Sequence, residues 1–118
     1  MLGVCAGAVT AAPMLAHHSV LGFDGSRSVA LTGTIHAVIW ENPHARVVID
    51  DESGARWTVE SESPRVLVRL GWTPQSLAAG DRITTVGAPS RTGTRLMRCD
   101  FVRAASGSQL PCYPAKSL

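Results

Sequence analysis

Residues 29–44 read VALTGTIHAVIWENPH, and the fold turns on how this stretch is read. Val29, Leu31, Gly33, Ile35, Ala37 and Ile39 alternate with Ala30, Thr32, Thr34, His36, Val38 and Trp40, a period of two that belongs to a strand and not to a helix. The pattern predicts one long strand with the first set on the inner face, His36 pointing away from the core, and Gly33 as a bend or bulge. Asn42-Pro43 then starts a turn, because proline fixes its own φ and pushes the preceding residue out of the helical region. His44 therefore opens the next strand at a loop mouth, where binding groups tend to be presented.

Outward toward the C-terminus, Ala45 to Asp50 alternates again, with Val47 and Ile49 on one face. The turn Asp51-Glu52-Ser53-Gly54 sends the chain back through Ala55 to Glu60, where Trp57 and Val59 share a face. Ser63 before Pro64 is an N-cap followed by proline at the first helical position. Val66, Leu67 and Leu70 then form one helical face, Arg65 and Arg69 another, and Gly71 supplies the stop. Thr73-Pro74 is expected to start a further single turn that buries Leu77 and Trp72. Gly80-Asp81 leads into a strand over Ile83 to Val86, Pro89 to Gly93 reverses the chain, and Met97, Cys99 and Phe101 line one face of a last strand.

Three strands, a helix and two strands, with a long bent first strand, give an all-β protein with one short helix: a small five-stranded OB-like barrel, with an SH3-like barrel as the main rival. Val29, Leu31, Ile35, Ile39, Val47, Ile49, Val59, Ile83, Met97 and Phe101 are expected in its core, with Leu67 and Leu70 plugging one end.

The 118 residues, 45% hydrophobic and 17% charged, supply one modest core and no second domain. Ten arginines and one lysine are scattered along the chain and leave a net charge of only +2, so no field points to nucleic acid or an anionic membrane. Residues 1–16, MLGVCAGAVTAAPMLA, are uncharged and read as a secretory signal, too short for a membrane span of about 20 residues. Leu2-Gly3-Val4-Cys5 loosely resembles a lipobox, with Val4 large for its position. Cleavage after Ala16 implies a periplasmic or secreted protein, with residues 17–28 as an extended arm, 29–103 as the barrel and 104–118 as a C-terminal tail.

Export leaves Cys99 and Cys112 as an even pair, which predicts a disulfide tethering that tail. A hairpin around Ala105-Ser106, with Gly107 free to take a positive φ, would bring Cys99 opposite Cys112.

The residues point to binding and not to catalysis. Ser19, His18 and Asp24 sit on one flexible arm and cannot hold the geometry of a nucleophilic triad. Glu60 and Glu62 flank Ser61 as a solvated strand end, not as carboxylates facing one another across a cleft. No phosphate loop, Cys-x-x-Cys or His-x-x-x-His occurs. Two binding functions remain. One is a metal site in which the amine and ring of His17 join His44, with His18 as an additional or substitute ligand. Copper is the metal favoured, since nitrogen ligands hold it most tightly among the divalent first-row ions. The other is a face around Trp40, Asn42 and Trp57 that takes a small molecule or a periplasmic protein without metal. Reach constrains the first: a strand over Val29 to Trp40 spans about 36 Å, and the steps from His18 to Val29 at most about 40 Å, so the arm must run back nearly straight.

His17-His18-Ser19, Leu31-Thr32-Gly33-Thr34, Trp40-Glu41-Asn42-Pro43-His44, Leu70-Gly71-Trp72-Thr73 and Gly80-Asp81 together resemble small secreted bacterial proteins classed as a domain of unknown function. The resemblance spans residues 16–103 and implies export and a small β-barrel, with no chemistry attached. Cys99 and Cys112 fall where the chain leaves the usual pattern, and Arg46-Val47 stands where the family has an aromatic residue.

Overall fold

The structure is a computed structural model that describes residues 22–115; the expected signal segment, His17 and His18 lie outside the described residues. Alternation carries Val29–Ile39 into strand β1, and Arg46–Asp51 and Arg56–Glu60 form β2 and β3. Helix α1 is Pro64–Arg69, followed by β4, Arg82–Pro89, β5, Leu96–Ala104, and β6, Gln109–Pro111. The first half of β1 pairs antiparallel with β4 and the second half with β2, β2 pairs with β3, β4 with β5, and parallel β3–β5 pairing closes the barrel. This circuit, β1-β2-β3-β5-β4, is that of the OB barrel. The added strand β6 pairs with β5 beyond the point where β3 leaves it.

Gly33 and Thr34 have partners on both sides, so β1 changes neighbour there. A Cβ on Gly33 would sit 2.7 Å from Ile49 Cγ2, so this strand crossing requires a residue without a side chain. The bulge expected at Gly33 lies instead at His36, where the register against β2 slips by one residue. An extra residue reverses the faces of everything after it. Val38 and Trp40 consequently pack against the core, and Ile39, expected inside, pairs with exposed Arg46.

A second slip, between Val86 and Gly87 against β5, has the same consequence: Val102 is buried and Phe101, expected in the core, is only partly covered. Leu31, Ile35, Val47, Ile49, Val59, Ile83 and Met97 are buried as expected, and Val29 packs at the margin of the core.

Ser63 caps α1 by accepting the Val66 N–H, and Gly71, at φ 103°, ends it. The N–H groups of Gly71 and Trp72 return to the carbonyls of Val68 and Leu67, a Schellman stop that turns Trp72 inward beside Leu67. Leu67 is fully buried and Leu70 packs at the edge of the core. The single turn expected at Thr73-Pro74 is present, closed by the Ser76 N–H on the Thr73 carbonyl, and Leu77 and Trp72 are buried beside it. The Cys99–Cys112 disulfide is present, at a Cα separation of 5.7 Å. Within the hairpin Cys112 donates its N–H to Asp100, so the cysteines are offset by one residue from direct opposition.

At the β2–β3 turn the Asp51 carboxylate accepts from Ser53 Oγ (2.7 Å), the N–H groups of Ser53 and Ala55 (both 2.9 Å) and the Trp57 indole (3.0 Å). The Ser53 hydroxyl foremost, with the other donors, holds its pKa down at about 2 against an ordinary 3.8. A carboxylate more acidic in the folded state stabilises the fold above pH ~4 and loses that contribution as pH falls toward ~2. The stability difference between the wild type and Asp51→Asn is therefore expected to be constant above pH ~5 and to shrink between pH ~4 and ~2. Denaturant titrations at each pH check this, and a difference that does not change with pH would show that the charge is not engaged.

Candidate functional site

The turn after β1 carries Trp40, exposed Asn42, a cis Asn42–Pro43 bond and His44. Ala45 fastens the end of this turn to the chain after β3. Its N–H donates to Glu62 O, and its carbonyl accepts from both the N–H and the hydroxyl of Ser61, all at 3.0 Å. His44 Nδ1 lies 2.9 Å from the Ser61 carbonyl. A carbonyl only accepts, so Nδ1 carries the proton and Nε2 is left with its lone pair when the ring is neutral. Nε2 faces Glu60 Oε1 at 3.6 Å, and both side chains are largely buried, at 27% and 17% exposure. An imidazole whose one nitrogen is held by a backbone carbonyl, leaving the other to ligate, is the orientation usual in metal-binding histidines.

Glu60 carries no signal of this role in the sequence, where Glu60-Ser61-Glu62 reads as a solvated strand end. Its position follows from the register: Glu60 pairs with Arg46 on β2 and Arg98 on β5, one residue from inward-facing Val59, and so projects from the outer face beside His44. Among the described residues, no three His, Cys, Asp or Glu side chains converge on one point. His44 and Glu60 supply two donors, and His17 and His18 lie outside the described residues.

The arm places its anchor differently from the sequence reading. Phe23 is buried and bridges Ser90; Asp24 N–H donates to Pro89 O and Arg91 N–H to Gly22 O, both at 2.9 Å. The chain is thus fastened at Gly22–Asp24 to the β4–β5 connection, six residues ahead of β1. A lone aromatic residue among glycine, serine and aspartate was the one signal of this anchor.

Trp40 and Trp57 both pack against the core, but toward opposite ends of β2. Trp40 follows Ile39, opposite the start of β2, and its ring lies 6.5 Å from that of Trp72, whose indole N–H donates to Pro111 O at 2.7 Å. Trp57 pairs with Ile49 at the other end of β2 and hydrogen-bonds Asp51. The positions level with them on β2, Ala45 and Ile49, are about 13 Å apart at ~3.3 Å per residue.

A family model described as a family of unknown function, DUF6152, matches residues 5–97. No curated protein matches the chain.

Proposed function

The chain belongs to the DUF6152 family of unknown function, and from that premise we propose that it is an exported barrel that binds a copper-type metal ion at the mouth of the β1–β2 turn. The observation that carries this reading is the orientation of His44, with Nδ1–H on the Ser61 carbonyl and Nε2 turned to Glu60. Donors about 2.0–2.1 Å from a shared ion and 3.6 Å from each other subtend roughly 120° at the metal. Closing that angle to the ~90° of tetragonal Cu(II) requires the two donors to approach to about 2.9 Å.

The remaining ligands are His17, through its ring and the amine that signal cleavage would expose, and His18. The Phe23 anchor supports their reach. Ser90 lies two residues past Ala88, and Ala88, Arg98 and Glu60 are successive partners across β4, β5 and β3. With strands about 4.8 Å apart, Phe23 is roughly 16 Å from Glu60. The five steps from His18 to Phe23 extend to about 17 Å, before either side chain is counted. That path is far shorter than a run back along the whole of β1. An oxidised disulfide, and the lack among the described residues of a helix long and apolar enough to cross a membrane, are compatible with a periplasmic or secreted location.

Titration of the exported, mass-verified protein with Cu(II) is expected to show one tight site, weakened at least about tenfold by His44→Ala and by Glu60→Gln. Unchanged affinity in the His44 variant would remove the shared site, and the absence of any tight binding would remove the function.

A further inference from the structure

A second site is built on the same outer face, one strand away from Glu60. Arg98 alternates with inward-facing Met97 and Cys99, so its side chain leaves the barrel wall. There it meets Tyr113, which follows the disulfide-bonded Cys112 and packs against the core with its ring 5.2 Å from the guanidinium carbon. Arg98, Asp100, Tyr113 and Pro114 line an open cavity of about 410 Å³, in the size range of small-ligand sites.

Two polar atoms in this arrangement, Arg98 Nε and Tyr113 Oη, are buried with no hydrogen-bond partner. Leaving a buried donor unpaired costs about 1–3 kcal/mol, which an acceptor that draws these two side chains slightly outward would recover. No carboxylate of the described chain takes up the Arg98 charge within 4 Å, although Glu60 is its cross-strand partner. Burial, followed by the charge of Glu60, pushes the Tyr113 phenol far above its ordinary range, so the hydroxyl remains a neutral donor.

We propose that this cavity binds a small zwitterionic α-amino acid, its carboxylate on Arg98 and the Tyr113 hydroxyl and its ammonium group on Asp100. The two terminal guanidinium nitrogens form a fork that matches a carboxylate with two parallel hydrogen bonds, and a small outward turn of the Tyr113 ring adds the phenol as a third. The acidic surroundings decide against a simple anion. Glu60, Glu62 and Asp100 all act on Tyr113 with negative charge, against the single positive charge of Arg98. A bare carboxylate would be repelled there, whereas a neutral zwitterion brings its own cation to the exposed Asp100 at the rim.

The test follows backbone amide shifts of residues 98–100 and 112–115 in the disulfide-intact protein, with a chelator present so that the metal site plays no part. Alanine is the probe; propionate lacks its ammonium group and ethylamine its carboxylate. Alanine is expected to saturate these shifts at millimolar concentration or below, and to bind at least about fivefold more tightly than either fragment. Arg98→Gln and Tyr113→Phe, each verified as folded by circular dichroism, should weaken alanine at least about tenfold and threefold. Asp100→Asn should abolish the preference for alanine over propionate. No saturable shift below about 10 mM alanine, propionate binding as tightly as alanine, or full affinity in the folded Arg98 variant would each overturn the proposal.

Discussion

Gly87→Ala is expected to cost the barrel at least about 3 kcal/mol, a large part of the ~5–15 kcal/mol that holds a domain folded. Gly87 is buried where β4 slips register against β5. A methyl group there would lie 2.8 Å from the carbonyl carbon of Arg98 and 3.0 Å from Cys99 Cα, with the Arg98 carbonyl oxygen closer still. Those atoms are backbone of a strand paired with β4 on one side and with β3 or β6 on the other. Relief therefore requires moving a whole strand and not a side chain. Gly25→Ala is the control: no atom lies within 4 Å of its added methyl and its φ is unexceptional, so it should change stability by less than about 1 kcal/mol. Denaturant midpoints of the two variants measure the contrast, and a Gly87 variant as stable as the control would refute the close approach.

Removing the disulfide is expected to have an effect of similar size. The cysteines are 13 residues apart, and closing a loop of that length restricts the unfolded chain by about 3 kcal/mol in the chain-entropy account. For a domain of this size that is a fall in Tm on the order of 15 °C. Both cysteines are buried in the core, so the Cys99→Ser, Cys112→Ser double variant should also loosen what the bridge holds in place. That includes β6, the ring of Tyr113 and the Pro111 carbonyl bonded to the Trp72 indole. Thermal melts and near-ultraviolet circular dichroism of the double variant check both parts. Wild-type Tm and an unchanged aromatic signal would show that packing alone fixes the tail.

Alternation, turn residues and the Ser63-Pro64 cap made the number and order of the barrel strands legible, because each is a local property of a few neighbouring residues. The two register slips were not legible, since a bulge is a relation between a strand and its partner. Ile39 and Val38 are equally apolar, and only the pairing of Ala37 with Val48 decides which one turns inward. Phe101 and Val102 exchange places for the same reason. Strand β6 is not legible because three residues, one of them proline, carry no periodic signal. At the candidate site His44 was legible from its turn. Glu60 was not, because its relation to His44 depends on the Ser61 carbonyl that turns the ring.

The double pairing of β1 also dictates the order in which the molecule can assemble. Its first half waits for β4, with Val29 opposite Gly87, and the ring is complete only when residues 96–98 reach 58–60. Such distant pairings pay loop closure before any contact rewards it, which puts folding in the slow, millisecond-to-second range of β-barrels. A chain made from its N-terminus can form the β2–β3 hairpin early, but it cannot close the barrel until residues 96–98 are free. Until then β3 keeps one edge unpaired, and the early strands form a curved sheet and not a ring.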